Sequence, residues 1–303
     1  MNAPILVTGA SGLVGRALVA RLAEEKQSLR LVSRTPGRLA AREGIGTVGW
    51  DGRELAASAL AGAEAVVHLA GEPIFGGLPT RARRERMWTS RVDSTRNLVR
   101  RIGSLAASER PRVLISASAV GYYGDRGEAE LDEAAEPGSG FLANLCVAWE
   151  EEAQRAREHG LRVARLRFAV VLSRGGGALP LLARAFRAGL GGRLGSGRQW
   201  FPWVHLADAV GLVRLALEDA RADGAINVVA PGVLRNAGFT REVARAVHRP
   251  ALLPAPAFAV RLALRDLASE FLGSRRVVPA RARALAYRFA QPELGPALAA
   301  ELS

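Results

Sequence analysis

Lysine is almost absent. Lys26 is the only one in 303 residues, and it falls in the polar tail of the first expected helix, far from any expected site. Schiff-base chemistry on a lysine amine is therefore excluded. Cysteine is as scarce: Cys146 stands alone, so no intrachain disulfide can form. That fits a reducing compartment, and a cytoplasmic protein is expected. The four histidines, His68, His159, His205 and His248, are scattered without metal-ligand spacing, so no metal site is expected. No apolar run reaches the roughly 18 residues that a membrane span needs. The opening MNAPILVTGA shows neither the basic segment nor the cleavage site of a secretory signal.

What is present is ordinary for a globular chain, with 49% hydrophobic and 23% charged residues. The length suits one large α/β unit or two modest domains. The net charge of +13 is carried almost wholly by arginine. Arginine-rich codon usage explains it; a nucleic-acid partner drawn by phosphate charge is the competing reading. The densest run, Arg81, Arg83, Arg84, Arg86 and Arg91, lies on an expected helix that also holds Trp88. No nucleic-acid recognition signature accompanies it, so a solvated helix face is the better expectation.

Short apolar runs alternate with helical patterns over the first 170 residues. Strands are expected near 5–8, 29–33, 46–49, 65–69, 112–117 and 162–168. Between them, Trp88, Val92, Thr95, Val99 and Ile102 recur every three or four residues in the stretch 81–106. Leu142, Cys146, Trp149, Ala153 and Ala156 do the same in 139–159. This order predicts an α/β fold: a Rossmann-type, doubly wound parallel sheet. Residues 1–172 are expected to form it, with a strand near 225–229 returning to it. Residues 173–224 and 230–303, rich in glycine and proline, are expected to form a smaller C-terminal domain on the substrate side.

The first strand runs into Gly9-x-x-Gly12-x-x-Gly15, with a helix starting inside the motif. Gly9 allows the tight turn, Gly12 lets amides approach a diphosphate, and Gly15 lets helix and strand pack closely. Ser11, Leu13 and Val14 complete the candidate diphosphate site, and Thr8 adds a hydroxyl. The second strand ends in LVSRTPGR, without the acidic residue that NAD sites place about 20 residues past the glycines. Ser33, Arg34 and Arg38 stand there instead. A guanidinium grips a 2′-phosphate where a carboxylate would repel it, so NADP(H) is the expected cofactor. The competing reading is that Arg34 simply faces solvent.

With these motifs the chain resembles an atypical extended short-chain dehydrogenase/reductase. The match is to the NAD-dependent epimerase/dehydratase-like "epimerase family" branch with its C-terminal domain of unknown function. VTGASGLVG, VVHLAG, LISASAVGYYG and FPWVHLADAV carry it in order, with VSR, SRV, FLANLCVAWE, VVLSRGGGAL and the C-terminal tail. The resemblance implies cofactor contacts at Ser33, Arg34, Leu69, Ala70, Gly71, Arg91 and Val171. It also exposes a departure. Family members use Tyr-x-x-x-Lys as the acid–base pair. Here those places fall on Leu142 and Cys146. Ser118 matches the serine that bonds the reacting oxygen, and Tyr122 and Tyr123 follow as candidate proton donors. His205 and Asp208 read as residues of a helix start. Trp200, Phe201 and Trp203 read as aromatic core or a pocket wall.

The expected function is NADP(H)-dependent oxidoreduction of a small carbonyl or hydroxyl compound. The alternative is an NADP(H)-binding sensor or scaffold without turnover. Nucleic-acid binding is a third, disfavoured, reading.

Overall fold

Alternate residues of the buried strands serve two separate cores. In a computed structural model that describes residues 3–38, 44–74, 80–251 and 253–302, Ile5 and Val7 of the strand Ile5–Thr8 join one core with Val67, Ile115 and Leu166. Leu6, between them, joins the other with Val66, Leu114 and Val163. Apolar side chains on both faces are what a strand covered by helices on both sides requires.

Among the described residues seven parallel strands make the central sheet. Across it they run Ile45–Gly49, Leu29–Ser33, Ile5–Thr8, Ala65–His68, Val113–Ala119, Arg162–Phe168 and Gly224–Val228. The chain reverses direction across the sheet between Ile5–Thr8 and Ala65–His68, which opens a crevice at their carboxyl ends. The helix Leu13–Glu24 covers one face through Leu18 and Leu22, beside the helix Leu206–Glu218 with Val210 and Val213. The helix Ser94–Gly103 covers the other through Leu98, Val99 and Ile102.

Two expectations need correction. The stretch 81–106 is not one α-helix: Arg81–Trp88 and Ser94–Gly103 are joined by a π-helical turn, Thr89–Asp93. And side chains do not divide at residue 172. The helix Leu206–Glu218 packs into the sheet's core, as do Ala282 and Leu285 from near the C-terminus. A further core, with Leu179, Phe186, Phe201, Trp203, Phe239 and Leu298, gathers the segments that do stand apart from the sheet.

Among the described residues no helix is long and apolar enough to cross a membrane, and no group of three or more metal-ligating side chains is found. The arginine run is no uniform basic face. Arg81 pairs with Glu85, Arg83 turns inward to the carbonyls of Pro73 and Ile74, and Arg91 is buried.

Candidate active site

The glycine turn is built by backbone crowding. Gly9 adopts φ +69°, and a Cβ there would stand 2.6 Å from the Leu69 carbonyl. A Cβ on Gly15 would stand 2.1 Å from the Gly9 oxygen. At Gly12 the same distance is 3.2 Å, so Gly12 is the least constrained of the three by the fold itself. Gly12 caps the helix Leu13–Glu24 without a side-chain bond, and the first turn holds no acidic residue. The amides of Leu13, Val14 and Gly15 have no partner among the described residues. Three aligned donors at the positive end of a helix fit a diphosphate. Ser11 is exposed beside them.

Ser33 ends the second strand, and its hydroxyl accepts the Thr35 amide at 3.1 Å. Arg34 is exposed and has no carboxylate partner among the described residues. Arg38 closes the 3-10 turn Pro36–Arg38, and its side chain lies outside the described residues.

A chain of hydrogen bonds ties the turn to the next strand end. The Ala70 amide donates to Thr8 Oγ1 at 3.3 Å, and Thr8 Oγ1 meets His68 Nδ1 at 2.7 Å. His68 Nε2 meets Thr95 Oγ1 at 3.0 Å, and that hydroxyl donates to the Arg91 carbonyl at 2.5 Å. With the Thr95 proton committed, His68 must donate through Nε2 and accept through Nδ1. Burial pulls its pKa down to about 4, so the ring is neutral at pH 7. Arg91 sits in the π-helical turn, a form that recurs at functional sites. Its guanidinium donates to the Glu72 carbonyl at 2.8 Å and lies 5.3 Å from the Trp149 ring. Gly71 leaves room for it: a Cβ there would stand 3.1 Å from Arg91 Cζ. Burial lowers the Arg91 pKa, and the Glu72 charge opposes that shift.

These elements wall a cavity of about 220 Å³ at the carboxyl ends of the strands. Leu69 touches Gly9 and also lines the cavity, so the two adjoin. Gly71, Arg91 and Ser118 are in the wall, together with Leu142 and Cys146. Val171 is not. Phe168 and Ala169 take that place, while Val171 packs on the sheet's core.

Ser118 is positioned otherwise than expected for a free donor. Its hydroxyl donates to Glu150 Oε1 at 2.7 Å. Glu150 is buried and also accepts from Arg167 Nε at 2.8 Å, Arg167 Nη2 at 2.9 Å and Arg165 Nη1 at 3.2 Å. Burial alone would lower the Arg167 pKa, but the bonds and charge of Glu150 outweigh it and raise it.

The structure brings neither tyrosine to the cavity wall. Tyr123 is fully buried, donates to Asn227 Oδ1 at 2.7 Å and accepts from Arg167 Nη1 at 2.9 Å. Burial pushes its pKa up to about 12. Tyr122 lies under the Arg167 guanidinium at 3.5 Å from its ring centre, and burial raises its pKa. Cys146 is buried, and its thiol is likewise pushed up to about 12, so it stays protonated.

One wall residue had no signal in the sequence. Glu270, on the helix Ala268–Leu272, enters the cavity from the C-terminal segment and pairs with buried Arg275 at 2.9 Å. Glu150 and its arginines did leave a trace: Arg165 and Arg167 share one face of a buried strand, which calls for a nearby carboxylate. Elsewhere, His205 caps the helix Leu206–Glu218 through the Ala207 amide, and Asp208 accepts the Ala290 and Gln291 amides. Trp203 is core, with its indole donating to the Gly232 carbonyl, and Trp200 donates to Glu128.

The model of the NAD dependent epimerase/dehydratase family matches residues 5–229. The chain belongs to that family. A domain of unknown function matches residues 255–301, the segment that supplies Glu270. One relative is the human epimerase family protein SDR39U1. It is 37% identical over 305 residues, covering 97% of this chain and 98% of the human one. The chloroplastic homolog from Arabidopsis thaliana is 36% identical over 289 residues, covering 94% and 82%. The crystal structure of human SDR39U1 isoform 2 with NADPH superposes with a TM-score of 0.86 at 33% identity, covering 98% of each chain. UDP-glucuronic acid 4-epimerase from Bacillus cereus, in complex with NAD, shares the fold at 17% identity, TM-score 0.78, covering 99% and 95%.

Proposed function

We propose that this chain is an NADP(H)-dependent oxidoreductase that acts on a carbonyl or hydroxyl compound without the Tyr-x-x-x-Lys pair. The observation that carries the reading is the cavity itself: it adjoins an anion-binding glycine turn and holds a buried cation, Arg91, in its wall. Gly9, Ser11, Gly12, Leu13, Val14 and Gly15 hold the diphosphate, while Ser33 and Arg34 hold the adenosine phosphate. The human relative crystallised with NADPH supports this choice of cofactor. When bound, NADPH supplies a hydride to the carbonyl carbon, the oxygen takes a proton, and an alcohol and NADP⁺ result.

The chain's own groups then have distinct tasks. Arg91 places positive charge where the oxygen gains electrons. Ser118, held by Glu150, fixes the edge of the cavity and offers lone pairs rather than a proton. A thiol held near 12 is a poor acid, so Cys146 serves as wall. Glu270, in the wall, passes the oxygen a proton that solvent then restores.

The test is single-turnover absorbance of NADPH-loaded protein offered a panel of aldehydes, ketones and nucleotide sugars. Oxidation of the reduced ring is expected. Tight NADPH binding without oxidation across the panel would establish the sensor reading instead, which the side chains Leu142 and Cys146 at the acid–base places favour.

A further inference from the structure

The cavity beside Arg91 has a neighbour. A second cavity of about 310 Å³ lies between the helices Leu179–Arg187 and Asn236–Ala246, against the segment 267–271. Ile74 lines both cavities. Consecutive residues face the two spaces, Ala169 and Val170 just past the strand Arg162–Phe168, Glu270 and Phe271 in one helix. A single layer of side chains therefore divides them.

The two walls differ in kind. The first holds Arg91, Ser118 and Glu270. The second is made by Val170, Leu182, Phe186, Phe201, Phe239 and Phe271. The Phe201 and Phe239 rings lie 4.6 Å apart at 53° and form one continuous aromatic side. Among the described residues this wall carries no charged side chain. Its polar side chains are Asn236, whose oxygen already accepts the Leu194 amide at 2.8 Å, and Thr240. A diphosphate placed here would lose its hydration and find no cation in return, a large penalty. A hydrocarbon chain would find close-packed apolar contact.

We propose that this second cavity receives an apolar arm of the substrate, so that the substrate class is an amphipathic aldehyde, ketone or alcohol with a hydrocarbon chain. The polar head occupies the cavity of Arg91, Ser118 and Glu270, and the chain passes Ile74 into the apolar space. The second space offers the diphosphate of a nucleotide-linked sugar no cation. This assignment rests on the oxidoreductase reading, because the head group is the one reduced or oxidised there. Its reduction requires no reactant beyond NADPH and a proton.

Two measurements on the NADPH-loaded full chain separate the two ideas. Calorimetry with linear alcohols from ethanol to decanol is expected to show affinity rising about fourfold per methylene until the space is filled. UDP-glucose is expected to give no heat. Leu181→Arg, at a rim position 52% exposed, and Thr240→Phe, which fills the space, each lower decanol affinity by about tenfold or more. NADPH affinity serves as the check that both variants fold. Affinity independent of chain length, or UDP-glucose binding tighter than decanol, would overturn the assignment. NADPH oxidation by the matching aldehydes is read in parallel. Chain-length-dependent binding with no oxidation keeps the apolar site and removes the oxidoreductase. Oxidation of short aldehydes with no chain-length dependence does the reverse.

Discussion

His68 shows how a single side chain links the glycine turn to the elements that wall the cavity. It is fully buried and neutral, with one ring nitrogen on Thr8 and the other on Thr95. In the unfolded chain its pKa returns to 6.5, whereas in the fold it is about 4. Between those values the unfolded chain binds the extra proton. The neutral ring's contribution is therefore complete above pH 6.5 and is lost as pH falls toward 4, about 3 kcal/mol in all. Urea midpoints measured from pH 7 to 4 should fall steeply in the wild type and less steeply in His68→Asn. Equal slopes would contradict the buried neutral ring. At this scale the sequence was legible only where a motif carries a fixed geometry. Ser118 was found through its motif. Tyr122 and Tyr123 were placed in the same loop, but the direction of their rings depends on Arg167 and on Asn227, which lies 104 positions from Tyr123. No local pattern reveals such partners.

Elements were far more legible, because period and turn chemistry are local. The expected strands match the observed ones within a residue or two, and the glycine turn falls where its spacing demands. The π-helical turn at Thr89–Asp93 escaped because one extra residue in a turn barely disturbs a three-and-four repeat. The glycines of the turn also separate by role. Gly15→Ala forces a Cβ into the Gly9 carbonyl and is expected to cost about 3 kcal/mol or more in stability. Gly12→Ala meets its nearest atom at 3.2 Å, so the fold should survive while NADPH affinity drops. Thermal denaturation and cofactor titration of the pair check this. A Gly12→Ala protein that unfolds as readily as Gly15→Ala would show that the turn, not the ligand, sets that glycine.

For the molecule as a whole, the sheet and a smaller C-terminal domain were readable, but which C-terminal side chains reach the cavity was not. Residues 255–301 match a domain of unknown function, and nothing in ASEFL announces that Glu270 reaches a cavity walled by strands at the other end of the chain. The same long-range packing places Ala282 and Leu285 on the sheet. Glu270→Gln keeps the shape but leaves the buried Arg275 with a neutral partner, so thermal stability is read beside activity. The substitution should lower kcat by about a hundredfold with NADPH affinity unchanged. Rapid kinetics beside cofactor titration decides this, and an unaltered kcat would remove Glu270 from proton supply.

The central claim is that the glycine turn holds the cofactor's diphosphate and Arg34 its 2′-phosphate. Calorimetry with NADPH and NADH, on the wild type and on Arg34→Glu, measures it directly. NADPH should bind the wild type more tightly than NADH, and Arg34→Glu should weaken NADPH by about tenfold or more while sparing NADH. Equal loss for both nucleotides, or no heat with either in the wild type, would contradict it.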